Sequence, residues 1–276
     1  MGSIFNNFFM NNLAIITGAA SGIGLALAKE AAQEGYVLLL VDIDNAGLQK
    51  AMEQLTGQYP SVSLNMLNVD LSSEEASEII RKKVEEISVP LSILVNCAGF
   101  GVYGAFDKTP WDREKDMIWL HVLTATALIK EFLPEMIERG QGRILNVASM
   151  AGFVPGPLMA VYYASKAYLV SLSRALAAEL KGTGITVTVL CPGVVNTGFS
   201  STVHGDTAAI AKSKSFSSSA EEVARYAFKA MRKGKIVAIP GLMNRLLYFF
   251  HRLSPTAFTA NIVQRSQQMI HQSVRR

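Results

Sequence analysis

The chain has 276 residues, half of them apolar and 17% charged, a globular composition with enough apolar material for one large α/β domain. That composition excludes a disordered chain. The two cysteines, Cys97 and Cys191, sit in apolar segments, which excludes a disulfide framework or a cysteine metal site and predicts a reducing compartment. The net charge of +4 is uneven, because residues 223–276 hold ten Lys or Arg and no Asp or Glu while the rest holds 16 basic and 22 acidic residues. The basic end is expected to be either a solvated surface or a contact with something anionic.

In chain order, short apolar runs alternate with longer helical patterns. Strands are predicted over 13–17, 36–42, 63–68, 91–96, 142–147, 186–191 and 236–239. The run Val37-Leu38-Leu39-Leu40-Val41 is what a strand covered on both faces looks like. Helices are predicted over 22–34, 46–56, 73–87, 111–138 and 161–180, the third opening on the capping pattern Ser72-Ser73-Glu74-Glu75. The βαβα order predicts a doubly wound, seven-stranded parallel α/β sheet with helices on both faces. Residues 1–241 form the expected cofactor-binding catalytic domain, and 242–276 a basic, partly apolar helical extension of the same domain. Segment 198–219, rich in Ser, Thr, Ala and Gly, breaks the rhythm and is expected to be a mobile loop or short helices where a lid would sit. No apolar run is long enough to span a bilayer, and the N-terminal stretch lacks the pattern of a signal peptide. The expected location is cytoplasmic, at most peripheral to a membrane.

The first predicted strand ends in Thr17-Gly18-Ala19-Ala20-Ser21-Gly22-Ile23-Gly24. Its glycines permit a tight turn and close approach to a pyrophosphate, which the following helix meets with free N–H groups and its positive dipole end. Asp42 ends the second strand, where a carboxylate accepts both ribose hydroxyls of NAD and repels the 2′-phosphate of NADP. NAD is therefore the expected cofactor, and Asp44 is expected to cap the next helix. Asp70-Leu71 and Asn96-Cys97-Ala98-Gly99 follow the third and fourth strands, at the carboxyl ends where such sheets bind ligands.

Ser149 follows the fifth strand, and Tyr162 and Lys166 lie four apart on a predicted helix, hence on one face. An ordinary tyrosine, with a pKa of about 10, transfers protons poorly near neutrality. A neighbouring ammonium is expected to lower that value, and Ser149 to hold the substrate oxygen for Tyr162. Tyr163, three before Lys166, faces elsewhere and is expected to pack in the core or on the cofactor. Lys166 is also suited to hold the nicotinamide ribose.

These elements, in this order, resemble the short-chain dehydrogenase/reductase family over nearly the whole chain: the glycine motif at 17–24, Asp70, Asn96-Cys97-Ala98-Gly99, Ser149, Tyr162 with Lys166, and Pro192-Gly193-Val194-Val195-Asn196-Thr197. The resemblance implies a Rossmann-type fold, a nicotinamide cofactor and interconversion of an alcohol and a ketone. It implies a cofactor site made of Gly18, Ser21, Gly22, Ile23, Gly24, Asp42, Asp70, Leu71, Asn96, Ala98, Gly99, Tyr162, Lys166, Pro192, Gly193, Val195 and Thr197. Within it, Asp70 would lie near the adenine, Asn96 would support the central strands, and Val195 and Thr197 would fix the carboxamide.

One position departs from the family. Where the family has an asparagine that kinks the helix after the fourth strand, this chain has His121, in Leu120-His121-Val122. Two readings stand: an added proton carrier in the catalytic set Ser149, Tyr162, Lys166 and His121, or a packed helix histidine whose main-chain carbonyl keeps the family's water relay. Phe100, Val102, Met150, Phe153, Met159 and Phe199 are expected around the nicotinamide, with no fixed cation in those segments, so an apolar, lipid- or steroid-like substrate is expected. No metal and no nucleic acid is expected. A homodimer or homotetramer is, with peripheral membrane contact through the extension as a further reading. Two other functions stay open, an NADP-linked carbonyl reductase and a catalytically impaired cofactor-binding regulator or scaffold.

Overall fold

A computed structural model describes residues 12–197, 218–253 (backbone alone for 251–253) and 262–263. Its strands are β1 (Leu13–Thr17), β2 (Val37–Asp42), β3 (Leu64–Asn68), β4 (Leu91–Asn96), β5 (Gly142–Val147) and β6 (Ile185–Leu190), then β7 (Val195–Asn196) and β8 (Ser218–Ser219), which pair with each other, and β9 (Val237–Ala238). The helices are α1 (Gly22–Gln33), α2 (Asn45–Gln58), α3 (Ala76–Ile87), α4 (Trp111–Glu138), α5 (Ala160–Glu179), α6 (Ala220–Arg232) and α7 (Leu242–Leu253). The sheet runs β3-β2-β1-β4-β5-β6-β9, all neighbours parallel, which is the expected doubly wound Rossmann-type architecture. The chain reverses direction across the sheet between β1 and β4, opening a crevice at their carboxyl ends.

The continuous apolar strands are explained by coverage on both faces. In β2, Leu38 and Leu40 join Leu48, Leu55 and Phe228 in the core under α1, α2 and α6. Val37, Leu39 and Val41 join Ile80, Leu128 and Phe132 in the core under α3 and α4. Each fully buried side chain of this size contributes roughly 1.5–3 kcal/mol. Among the described residues α4 alone is long and apolar enough to cross a membrane, but Leu128, Ile129, Phe132 and Met136 are buried against the sheet.

Four details differ from the sequence expectation. Helix α3 begins at Ala76, and the expected serine capping pattern does not form; the Asp70 carboxylate instead accepts from both Ser72 N at 2.8 Å and Ser72 Oγ at 2.6 Å, holding those serines in a turn. The last strand is only Val237–Ala238, since an edge strand pairs on one side alone, here with β6. Helix α4 carries a π-helical stretch, Trp119–Thr124, within what the sequence predicts as one regular helix over 111–138. Ser218–Ser219, expected in the irregular segment, form β8, while 198–217 and Phe199 lie outside the described residues.

Candidate active site

The β1–α1 turn is the tightest part of the crevice. Gly18 has φ +69°, and a Cβ there would stand 2.8 Å from Ala98 Cα, so a side chain would drive β1 and β4 apart. A Cβ on Gly24 would stand 2.0 Å from Gly18 O. Gly22 faces Thr197, to whose Cβ an added methyl would lie 3.3 Å. Ser21 takes the N-cap position of α1 without a side-chain cap bond among the described residues, and the first turn, Gly22-Ile23-Gly24-Leu25, carries no carboxylate. An uncapped helix start beside a cradle too close for any Cβ fits a pyrophosphate.

Asp42 closes this turn from β2. Its Oδ2 accepts from Ala20 N and its Oδ1 from Asp44 N, both at 3.0 Å, which orients the carboxylate toward the crevice rim. Asp44 caps α2 as expected, accepting from Gly47 N at 3.0 Å. Asp70 is exposed and occupied by Ser72, and Leu71 is buried with its carbonyl accepting from Thr124 Oγ1 at 2.6 Å.

A buried polar chain supports the floor. Asn96 and Asn146 are register partners at the ends of β4 and β5, and Asn96 Nδ2 donates to Asn146 Oδ1 at 2.9 Å. Asn146 Nδ2 donates to Ser173 Oγ at 2.9 Å on α5, whose hydroxyl donates to Leu169 O. Thr17 Oγ1 accepts from Cys97 N and Ala98 N at 2.9 and 3.1 Å. Asn146 and Ser173 were not among the sequence candidates, although a polar residue inside the apolar run Arg143-Ile144-Leu145-Asn146-Val147 was the available signal.

Ser149, just beyond β5, caps the 3₁₀ turn Met150–Phe153, its Oγ accepting from Ala151 N at 3.1 Å. That leaves its own proton free to donate. Tyr162 is buried in the first turn of α5, with the Ser149 side chain near enough to favour its phenolate. Lys166, one turn further, is buried with Nζ donating to Val147 O at 3.1 Å and standing 5.7 Å from the Tyr162 ring centre. Tyr163 turns away, its ring packed where a Cβ on Gly156 would be 2.2 Å from it.

The protonation balance differs from the expectation that Lys166 lowers Tyr162. Burial pushes Tyr162 up to about 12, with the Ser149 side chain pulling the other way, and burial pushes Lys166 down to about 8, with the thiols of Cys97 and Cys191 opposing. Desolvation outweighs the ion–phenol attraction because both groups are fully withdrawn from solvent and the ammonium is aimed at a carbonyl.

His121 is buried in the π-helical stretch. Its Nε2 accepts from Phe100 N at 3.3 Å, and its Nδ1 lies 2.9 Å from Ser165 Oγ. A Cβ on Gly99 would be 2.6 Å from His121 Nε2 and 3.4 Å from Lys166 Nζ, so the ring and the lysine both border the space beside Gly99 and leave no room there for a side chain. A cavity of about 10 Å³, room for one water, lies beside His121 between Thr17, Asn96 and Thr124.

Of the apolar residues expected around the nicotinamide, Phe100, Val102 and Met159 cluster with Tyr162, while Met150 and Phe153 pack with Leu169 and Tyr248. One cation was missed: the Arg113 guanidinium lies 4.6 Å from the Phe100 ring centre, with Asp116 3.5 Å away to balance its charge. Pro192 O accepts from Met150 N at 2.9 Å, and Gly193 is packed under Asn244 of α7. Among the described residues no group of three or more His, Cys, Asp or Glu is placed to hold a metal ion.

A dinucleotide-type glycine cradle and a Ser–Tyr–Lys set whose Tyr and Lys are buried, both at the carboxyl ends of a doubly wound sheet, point to an oxidoreductase of hydroxyl and keto groups. Residues 12–207 match the short chain dehydrogenase family, and the chain belongs to it. It is 34% identical over 227 residues, 79% of this chain and 78% of the relative, to 1-deoxy-11-beta-hydroxypentalenate dehydrogenase of Streptomyces exfoliatus. Among solved structures it superposes on a short-chain dehydrogenase from Sphingobium yanoikuyae in complex with NADPH (28% identity, TM-score 0.76, covering 84% of this chain and 88% of that one). It superposes likewise on the bulky-bulky ketone specific alcohol dehydrogenase from Comamonas testosteroni (26%, 0.73, 87% and 92%).

Proposed function

We propose that the protein interconverts a secondary alcohol and a ketone on an apolar substrate, with Tyr162 as acid and base and NAD(H) as the cofactor. The observation that carries this is the burial of Tyr162 beside the Ser149 side chain, with Lys166 one helical turn away, at the end of the sheet that also carries the cradle of Gly18, Gly22 and Gly24.

When bound, the nicotinamide supplies or takes the hydride. Gly18, Ser21, Gly22, Ile23 and Gly24 would hold its pyrophosphate, Asp42 the adenine ribose, Asp70 with Leu71 the adenine side, and Pro192, Gly193, Val195 and Thr197 the nicotinamide side. Ala98 and Gly99 would form the opposite wall, on strands braced by Asn96, and Lys166 would reach the nicotinamide ribose. In the reducing direction, Tyr162 Oη gives its proton to the substrate oxygen as that oxygen gains charge, and Ser149 Oγ donates a second hydrogen bond to it. In the oxidising direction the same proton returns to Tyr162. Raised to about 12, the phenol is fully protonated near neutrality, the state required before it donates, and the Lys166 ammonium would stabilise the phenolate that transfer leaves.

Asp42 supports NAD over NADP because no Arg or Lys follows it to receive a 2′-phosphate, its next residues being Ile43 and Asp44. The Sphingobium relative is solved in complex with NADPH, which supports an NADP-linked reductase as the second reading. Phe100, Val102, Met150, Phe153 and Met159 support an apolar substrate, as does the bulky-bulky ketone in the name of one relative. His121, with both ring nitrogens engaged, is read as a positioning residue that ties the 99–100 loop to α5. A homodimer or homotetramer in the cytoplasm is the corresponding state of the enzyme.

The test is turnover of a ketone panel with NADH and NADPH by wild type and Tyr162→Phe. Wild-type activity lost by about 10²–10⁴-fold in Tyr162→Phe supports the reading. Equal activity in both proteins removes it, and no turnover with any ketone favours the regulator or scaffold.

A further inference from the structure

Helix α7 touches the body along a narrow seam. Asn244 packs on Gly193, where a Cβ would stand 2.6 Å from Asn244 Oδ1, and its Nδ2 donates to Pro240 O at 2.8 Å. One turn on, the Tyr248 ring lies 4.5 Å from that of Phe153, and its hydroxyl accepts from Arg174 Nη2 at 2.9 Å. These two positions set the inner face of the helix. The opposite face is Leu242, Met243, Leu246, Leu247, Phe249 and Phe250, which are 72, 54, 44, 55, 59 and 62% exposed. At 3.6 residues per turn they form one stripe with no polar residue inside it. Single exposed apolar residues are ordinary, but six side by side on one helix mark a docking surface.

The charge pattern selects the occupant. Arg245 flanks the stripe, and position 252, seven residues on, brings a second arginine to the same flank. Arg245 is exposed, its Nε donates to Ile239 O at 2.9 Å, and no carboxylate among the described residues pairs with it. A second copy of the chain docked face to face on α7 would bring the same arginines together, and 223–276 offers no Asp or Glu to compensate them. The Arg245 guanidinium also lies 5.2 Å from the Tyr226 ring centre, and an anionic bilayer would offer acyl chains to the exposed stripe and a headgroup counter-charge to this cation.

We propose that α7 seats the enzyme on an anionic membrane surface, with its apolar face in the headgroup–acyl boundary and Arg245 at headgroup level. The docking stands apart from the reading of the reaction. Its consequence rests on that reading, because Gly193 and Phe153 belong to the proposed nicotinamide and substrate side, so docking would bring the mouth of the site to the bilayer, the natural source of a lipophilic substrate.

The test is co-sedimentation of the full chain with vesicles of phosphatidylcholine alone and of phosphatidylcholine with phosphatidylglycerol. Binding is expected to be at least about tenfold stronger on the anionic vesicles and to weaken with salt. It should fall about tenfold in Phe250→Glu and in Leu246→Glu, and about fivefold in Arg245→Gln. Melting temperature and turnover of a water-soluble ketone should stay at wild-type values in Phe250→Glu, which separates loss of docking from loss of fold or of chemistry. Absence of wild-type binding to anionic vesicles overturns the proposal, as does binding that none of the three substitutions weakens. A dimer that becomes a monomer in Phe250→Glu, without vesicle binding by wild type, assigns the face to a second copy and equally overturns it.

Discussion

His121 Nδ1 lies 2.9 Å from Ser165 Oγ, and Ser165 Oγ donates its only proton to Tyr162 O at 2.7 Å. The shared proton between ring and hydroxyl must therefore come from Nδ1, which leaves Nε2 bare to accept from Phe100 N. One neutral tautomer satisfies every group, and burial together with the Lys166 ammonium holds the imidazole well below its usual 6.5. Neither nitrogen is left for the Tyr162 hydroxyl, which favours a positioning role over a proton carrier.

For that reason His121→Asn is expected to keep activity within about tenfold, about 1.4 kcal/mol of barrier, with the change in KM rather than kcat. A thousandfold drop in kcat would assign the imidazole a role in proton transfer.

The same histidine predicts acid sensitivity. Its folded pKa lies below the unfolded value, so the unfolded chain binds the proton first and stability is lost as pH falls below 6.5. The slope from one such group is at most about 1.4 kcal/mol per pH unit. Urea denaturation between pH 7 and 5 should show this loss in wild type and a flatter profile in His121→Asn; parallel profiles would refute it.

Alkaline stability carries two opposed contributions. Tyr162, raised from 10.0 to about 12, stabilises the fold below pH 10 and loses that contribution as pH climbs toward 12. Lys166, lowered from 10.5 to about 8, disfavours the fold most below pH 8, where both states carry the proton, and stability recovers between pH 8 and 10.5, where the unfolded chain alone keeps it. Tyr162→Phe should therefore melt less steeply above pH 10 than wild type, and Lys166→Met should lack the recovery between pH 8 and 10. Lys166→Met should also lose activity by about 10²-fold or more while folding normally at pH 7.

At Asp42 the cofactor preference can be reversed. Asp42→Ser removes the repulsion of a 2′-phosphate and one acceptor for the ribose hydroxyls, so the ratio of NADPH to NADH affinity should rise at least about tenfold. Fluorescence titration of both cofactors measures it. Tighter NADPH binding by wild type would overturn the assignment of Asp42.

Gly24→Ala should be among the most damaging single changes in the cradle, because its Cβ would meet Gly18 O at 2.0 Å, a backbone atom that cannot rotate away. A loss of about 3 kcal/mol or more in denaturant unfolding, together with loss of cofactor binding, is expected. Gly35→Ala, where no atom lies within 4 Å but φ is +80°, should cost only about 1–2 kcal/mol.

The sequence by itself determined the sheet, its two-sided burial and the identity of the groups at its carboxyl edge. Strands covered on both faces must be apolar throughout, a cradle too close for a Cβ must be glycine, and a Tyr and a Lys four apart on a helix must share a face. Those constraints are local, so they are written in consecutive residues. Tertiary structure decided what depends on groups distant in the chain. It tied Asp42 to Ala20, 22 residues earlier, and Asn96 to Asn146, 50 residues later. It withdrew Tyr162 and Lys166 from solvent so far that desolvation outweighs their attraction, and it enclosed His121 between Phe100 and Ser165. Periodicity reports which face of a helix is apolar but not whether anything covers it. The sequence marked 242–276 as a basic, partly apolar helical extension, and the tertiary structure showed that six apolar side chains of α7 stay exposed.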